Sequence, residues 1–133
     1  MLLGVATVGR VAFIADDYPV VMPVNYRVVD DDAGIMVLVR ARPGDSIDRA
    51  PLHVAFEIDG VDHERQQGWS VLVRGRLHHI DEDAAVRIAA LFDPEPWPHE
   101  HRTSWLVISA EAVTGRKLDS AEAEWPFSAG AYR

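Results

Sequence analysis

Two stretches of unbroken apolar–polar alternation constrain this chain more than anything else in it. In 52-LHVAFEIDG-60, Leu52, Val54, Phe56 and Ile58 fall on one side, with His53, Ala55, Glu57 and Asp59 on the other. In 68-GWSVLVRGRLHHI-80, Trp69, Val71, Val73, Gly75 and Leu77 alternate with Ser70, Arg74, Arg76 and His78. A period of two belongs to a strand with one buried face, so the chain must build a sheet around an inner side. Gly75 inside such a strand marks a bend or the close approach of another backbone.

Three earlier strands fit the same sheet. Residues 8-VGRVAFIA-15 lead into the turn Asp16-Asp17-Tyr18-Pro19, and 20-VVMPVNYRVV-29 leads into an acidic hairpin loop from Asp30 to Gly34. Pro23 places the second strand at an edge or a bulge. The third, 35-IMVLV-39, is apolar throughout and should be covered on both faces. A short helical turn is expected over Ser46 to Ala50. A longer helix is expected over 81-DEDAAVRIAALF-92, with Asp81 as N-cap and Glu82 and Asp83 in the first turn. Its apolar face is Ala85, Ile88, Ala89 and Phe92, and Asp93-Pro94 stops it. Residues 103-TSWLVISAEAVTG-115 read as a last strand and 119–133 as an irregular tail. Six strands with one substantial helix between the fifth and sixth, in 133 residues, imply one mainly β domain. A small closed or partly open barrel with a covering helix is the expected form. Strand edges left over would be covered by dimerisation.

Composition removes several functions. A formal net charge of −8 argues against nucleic-acid binding by phosphate neutralisation. There is no cysteine, hence no disulfide framework and no thiolate-held zinc. No apolar run reaches the roughly 18 residues of a membrane span, and the first residues carry no basic leader. The expected location is cytoplasmic, without membrane or nucleic-acid partners. His99 and His101 have metal-ligand spacing but no further ligands at a recognisable distance, so they are read as a polar linker. His78 and His79 point to opposite faces of a strand and cannot chelate together. The acidic runs Asp30 to Asp32 and Asp81 to Asp83 are solvated charge, and no hydrolytic motif is present. One bend differs in kind. In 37-VLVRARPGDSI-47, Arg40 and Arg42 offer charge-assisted bonds, and Ser46 with the amides around Gly44 offers neutral donors to a phosphate. Asp45 and Asp48 oppose an anion there.

Taken in order, 8-VGRVAF-13, 22-MPVNYRV-28, 38-LVRARPGDSI-47, 68-GWSVLVRGR-76 and 114-TGRKL-118 resemble the pyridoxamine 5'-phosphate oxidase-like proteins, small flavin-binding split barrels. The likeness runs over roughly residues 7 to 118. It implies a six-stranded antiparallel split β-barrel (the FMN-binding split barrel) with one or two short helices, forming a homodimer. Two cofactor sites, typically taking FMN, would lie at the dimer interface. Asn25 and Tyr26 would lie beside the isoalloxazine ring, Arg40 and Ser46 at the phosphate with Arg42 as helper. Trp69 and Ser70 would close the pocket from the partner subunit. Relatives usually carry Arg-Thr-x-Pro-Gly-x-Lys in the phosphate bend. Here Arg40 matches, but Ala41 stands in place of the hydroxyl residue and Ser46 in place of the lysine. The helix that usually precedes the first strand in relatives is mostly missing.

The function implied is that of a flavin-binding, oxidoreductase-like protein acting on a small-molecule redox substrate. No side chain stands out as catalytic acid or base, as expected where a flavin carries the chemistry. There is no counterpart of the substrate-phosphate residues of pyridoxamine phosphate oxidase itself. Two alternatives remain open: a reductase dependent on the deazaflavin F420, and a cofactor-free dimeric ligand-binding or interaction protein with a degenerate phosphate site.

Overall fold

A computed structural model of the chain describes residues 8–32, 34–92 and 104–119. Its elements are β1 (Val8–Ala15), β2 (Tyr18–Asp31), β3 (Gly34–Ala41), a 3₁₀ turn (Ser46–Arg49), β4 (Leu52–Asp62), β5 (Gln67–His79), α1 (Glu82–Phe92) and β6 (Ser104–Leu118). The strands close into an antiparallel barrel in the order β1-β2-β3-β6-β5-β4, with β4 returning to β1 through Arg10↔Glu57 to Ala12↔Ala55. Among the described residues no helix is long and apolar enough to cross a membrane. The linker with His99 and His101, and the tail beyond Asp119, lie outside the described residues.

The alternation read from the sequence is the wall of this barrel. Val54, Phe56 and Ile58 of β4 face Val71, Val73 and Leu77 of β5, and with Val11, Leu106 and Ile108 they fill the interior. β3 is covered on both sides, as its unbroken apolar run requires. Val37 and Val39 point into the barrel, while Leu38 lies outside it against Ala85 of α1 and Trp105. The helix is capped as expected, the Asp81 carboxylate accepting the Ala84 N–H at 2.8 Å. Of its expected apolar face only Ala85 falls among the side chains described, and it is fully buried.

Several strand ends differ from the sequence reading: β2 runs on to Asp31, so Asp30 and Asp31 are strand and not loop, and β4 runs on to Asp62. β2 begins at Tyr18, because Asp16 and Asp17 both take positive φ (51° and 66°) and make a two-residue hairpin turn. Tyr18 and Pro19 therefore pair with Ala15 and Ile14 instead of belonging to the turn. β6 runs on to Leu118, so the Thr114–Leu118 segment is strand. Gly75 sits at a register shift in the β5–β6 ladder. A Cβ there would lie 2.1 Å from the Ser109 carbonyl oxygen, so the expected close backbone approach is real.

The topology also opens a split. β2 pairs with β1 over Tyr18 to Asn25, and with β3 only from Tyr26 onward. The β2–β3 ladder ends at Tyr26↔Val39, while on its other edge β3 stays paired with β6 through Arg40↔Trp105 and Ala41↔Ser104. Residues 22–25 are thus left with one open edge, which is where a proline in a strand is tolerated.

Candidate functional site

The split holds a groove of about 370 Å³. Met22, Pro23, Val24 and Asn25 line one side; Arg40, Ala41, Arg42, Asp45 and Ile47 line the other. Val24 and Ile47 belong to the buried core, Ile47 with no exposed surface, and the accessible apolar side chains of the lining are Met22, Pro23 and Ala41. Every second residue of an open strand edge turns its backbone N–H and C=O outward, so residues 22–25 can meet polar ring edges. Two guanidinium groups face one carboxylate in the lining, a locally positive site on a chain whose net charge is −8. Arg40 and Arg42, two residues apart on one face of β3 and its continuation, both reach the groove.

The bend below them is a turn of four residues, Arg42-Pro43-Gly44-Asp45, in which the Asp45 N–H donates to the Arg42 carbonyl at 3.0 Å. Gly44 has φ +89°, the value a type II turn demands at its third position. The amides of this turn are not directed at the groove. The Arg42 N–H donates to the Asp45 carboxylate at 3.3 Å, and the Gly44 N–H to Asp48 at 3.0 Å. Asp48 also meets His79 Nε2 at 2.9 Å. Burial by itself pushes the Asp48 carboxyl up, but the bonds from Gly44, His79 and Ser104 outweigh it and hold the group below the usual aspartate range.

That direction sets a pH window. A carboxyl depressed in the folded state contributes stability above its unfolded value, and the contribution is lost as pH falls through the folded one. The Gly44 amide proton shift should therefore follow the Asp48 carboxyl with a midpoint below about 3.9, the ordinary aspartate value. An NMR titration with its midpoint at or above that value would contradict the assignment of Asp48 as the amide's partner.

The residues singled out from sequence distribute as follows. Asn25, Arg40 and Arg42 come together in the groove. Tyr26 does not: its side chain is buried in the barrel, edge-on to Phe56 with ring centroids 4.9 Å apart. The parity of Val20, Met22, Val24 and Tyr26 was the available signal for this. Tyr26 can line the groove only through its backbone. Ser46 opens the 3₁₀ turn and is not part of the groove lining, its neighbours Asp45 and Ile47 taking that place. The amides around Gly44, read as phosphate donors, are already engaged by Asp45 and Asp48. Short-range bonding of Asp to nearby backbone N–H groups is the habit that could have revealed it.

Trp69 and Ser70 lie elsewhere. Trp69 is half-buried with its indole over Gly60, where an added Cβ would come within 2.7 Å of the ring. It borders a second hollow of about 600 Å³ with Asp59, Gln67 and Lys117. Arg40 pairs with Trp105 near the start of β6, and Trp69 pairs with Lys117 near its end. Twelve residues at about 3.3 Å each separate the two along that strand, roughly 40 Å of path. Arg40 and Trp69 of one chain therefore border separate hollows, not one closed pocket. Among the described residues no group of three or more His, Cys, Asp or Glu side chains is placed to hold a metal. His78 and His79 turn apart as expected, His78 to the Ser109 hydroxyl and His79 to Asp48.

Comparison with known proteins gives this geometry a lineage. A family model described as pyridoxamine 5'-phosphate oxidase matches residues 1–117. An uncharacterized protein of Mycobacterium tuberculosis, Rv0080, is 34% identical over 119 residues, covering 83% of this chain and 74% of its own. Among solved structures, the FAD binding protein from Mycobacterium smegmatis is 29% identical with a TM-score of 0.72, covering 89% of this chain and 90% of its own. A FAD-binding protein from Mesorhizobium loti is similar in fold, with a TM-score of 0.62 at 24% identity over 88% of this chain and 90% of its own. With the family model spanning residues 1–117, the chain belongs to the pyridoxamine 5'-phosphate oxidase family.

Proposed function

We propose that the chain is a flavin-binding oxidoreductase that works as a homodimer, with each site composed from two subunits. The observation that carries this reading is the groove at the β2–β3 split, where the strand edge of residues 22–25 faces Arg40 and Arg42. A flavin nucleotide has the matching form: a flat ring at one end and an anion at the other. Arg40 and Arg42 would hold the phosphate by charge-assisted bonds. The open edge of residues 22–25 would orient the ring, and Met22 and Pro23 would keep water from one of its sides. Bound there, a flavin supplies hydride or single-electron transfer to a small substrate, and the protein supplies position and electrostatics. A similar protein from Mycobacterium smegmatis is described as FAD binding, which supports the flavin class.

The dimer in this reading rests on two features. The outward side of the β1–β2 hairpin aligns Ala12 with Val21 and Ile14 with Pro19, and continues to Pro23 at the groove. Ile14 and Val21 are 63% and 64% exposed, and a continuous apolar strip of this kind suits an association surface. Separation of Arg40 from Trp69 is the second feature. A second copy laid along the strip would bring its own Trp69 and Ser70 toward the groove that one chain leaves open.

A cofactor-free reading has one observation in its favour, the engagement of the bend's amides by Asp45 and Asp48. Side-by-side titration with FMN, FAD and F420 separates the readings. Saturable flavin binding is expected. Arg40→Ala should weaken it about tenfold to a hundredfold, the worth of one charge-assisted bond. Uptake of F420 alone would move the protein to the deazaflavin class, and indifference to all three would leave the cofactor-free dimer.

A further inference from the structure

We propose that Asp48 is a positioning residue of the phosphate end: with His79 it clamps the bend carrying Arg42 to the barrel, so that the guanidinium is in place before a ligand arrives. This rests on the flavin reading and adds residues that touch no ligand themselves. The bend leaves the barrel at Ala41, still paired there with Ser104 of β6, and returns at Ile47, whose side chain is buried in the core. Arg42, Pro43, Gly44, Asp45 and Ser46 lie between those anchors. Two bonds are internal to the turn, from the Asp45 N–H to the Arg42 carbonyl and from the Arg42 N–H to the Asp45 carboxylate. A third, from the Asp48 N–H to the Asp45 carbonyl at 2.9 Å, joins it to the 3₁₀ turn. These bonds shape the bend without tying it to a strand.

The Asp48 side chain supplies that tie. One carboxylate oxygen accepts the Gly44 N–H at 3.0 Å, and the other accepts the His79 Nε2–H at 2.9 Å. The Ser104 hydroxyl bonds the same carboxylate. Gly44 belongs to the bend, His79 ends β5 and Ser104 begins β6, so one side chain joins three parts of the fold. Against the upward push of burial, these bonds keep the carboxyl below the usual aspartate range, so it stays charged at neutral pH. Only 17% of the side chain is exposed, and bonds to a shielded carboxylate are among the stronger ones. A bend ordered in advance loses less freedom when a phosphate is gripped, and the affinity is higher for it. Charge alone acts in the opposite direction. A phosphate at Arg40 and Arg42 is repelled by Asp48 as it is by Asp45, while Arg49 of the same turn points to Asp16 at 3.4 Å. Removing Asp48 therefore separates the two effects by sign.

The test uses the full chain and reads binding, not turnover. FMN, FAD and riboflavin are titrated by quenching of flavin fluorescence against the wild type, His79→Ala, His79→Gln and Asp48→Ala. Riboflavin shares the ring and lacks the phosphate. The glutamine side chain can bring an uncharged amide N–H to the place of the imidazole Nε2–H, so His79→Gln keeps the bond without the ring. His79→Ala should bind FMN and FAD about threefold to tenfold more weakly, the worth of one hydrogen bond, and His79→Gln should restore them. Asp48→Ala should weaken both by about tenfold or more, although a negative charge has gone. Riboflavin should bind all four proteins alike, whereas a general loosening of the fold would weaken all three flavins together. FMN and FAD binding that is unchanged in His79→Ala or tighter in Asp48→Ala, or an equal loss for riboflavin, would overturn the positioning role and leave the flavin reading standing. No flavin binding by the wild type would overturn both.

Discussion

Gly75→Val should lower stability by at least about 3 kcal/mol, or prevent the folded chain from accumulating at all. Most overpacking is relieved by a side chain moving aside, and here none can. The first atom of any side chain at 75 would lie 2.1 Å from the Ser109 carbonyl oxygen and 2.9 Å from its carbon, both backbone. Ser109 belongs to β6, which is paired with β3 through Met36↔Ser109 and with β5 through Arg76↔Ser109. Moving it would disturb both ladders. The register shift between Arg74 and Gly75 is the local adjustment that lets the two strands come this near. Gly115 provides the control on the same strand pair. A Cβ there would meet only the Ser70 carbonyl oxygen at 3.5 Å, an ordinary contact. Thermal unfolding should therefore show a fall of roughly 10 °C or more for Gly75→Val and little change for Gly115→Ala. Equal midpoints for the two variants would show that the barrel wall is looser at Gly75 than its geometry implies.

Gly75 also shows what the sequence made legible. A glycine breaking an otherwise regular alternation can be read as a close approach without knowing which strand approaches, because a missing Cβ has few other uses inside a wall. The same alternation placed β4 and β5 nearly to the residue, and the unbroken apolar run of β3 foretold a cover on both of its faces. These are local signals, and each follows from which side a Cβ points. The hairpin at Asp16-Asp17 was read one step too long because Tyr18-Pro19 looks like turn chemistry, whereas two aspartates at positive φ already complete the reversal. What the sequence could not carry is non-local. Nothing near Val39 announces that β2 parts from β3 there while β3 stays paired with β6, and the groove lies at that parting. The carboxylates of Asp45 and Asp48 were visible as opposing charge. Their role as partners of the bend's own amides depended on the turn geometry and on His79, thirty-one residues away along the chain.

The second large effect concerns the division of the site between chains. Arg40→Ala and Trp69→Ala should each remove most flavin binding, for different reasons. The first takes a charge from the phosphate end of the groove, and the second takes the cover that the other subunit would supply. In a dimer with composite sites the two defects fall on the same site when the subunits are mixed, and the other site is left intact. The groove with Arg40 intact comes from the Trp69→Ala chain, and the Trp69 that closes it comes from the Arg40→Ala chain. The remaining site carries both losses.

Co-expression of Arg40→Ala and Trp69→Ala chains, followed by a count of bound flavin in the isolated mixed dimer, tests the division directly. One flavin per mixed dimer, at wild-type affinity and absent from both parents, is the result expected of a groove completed across a two-fold seam. A mixed dimer that binds no better than its parents would contradict it, as would a parent that keeps full binding as a monomer.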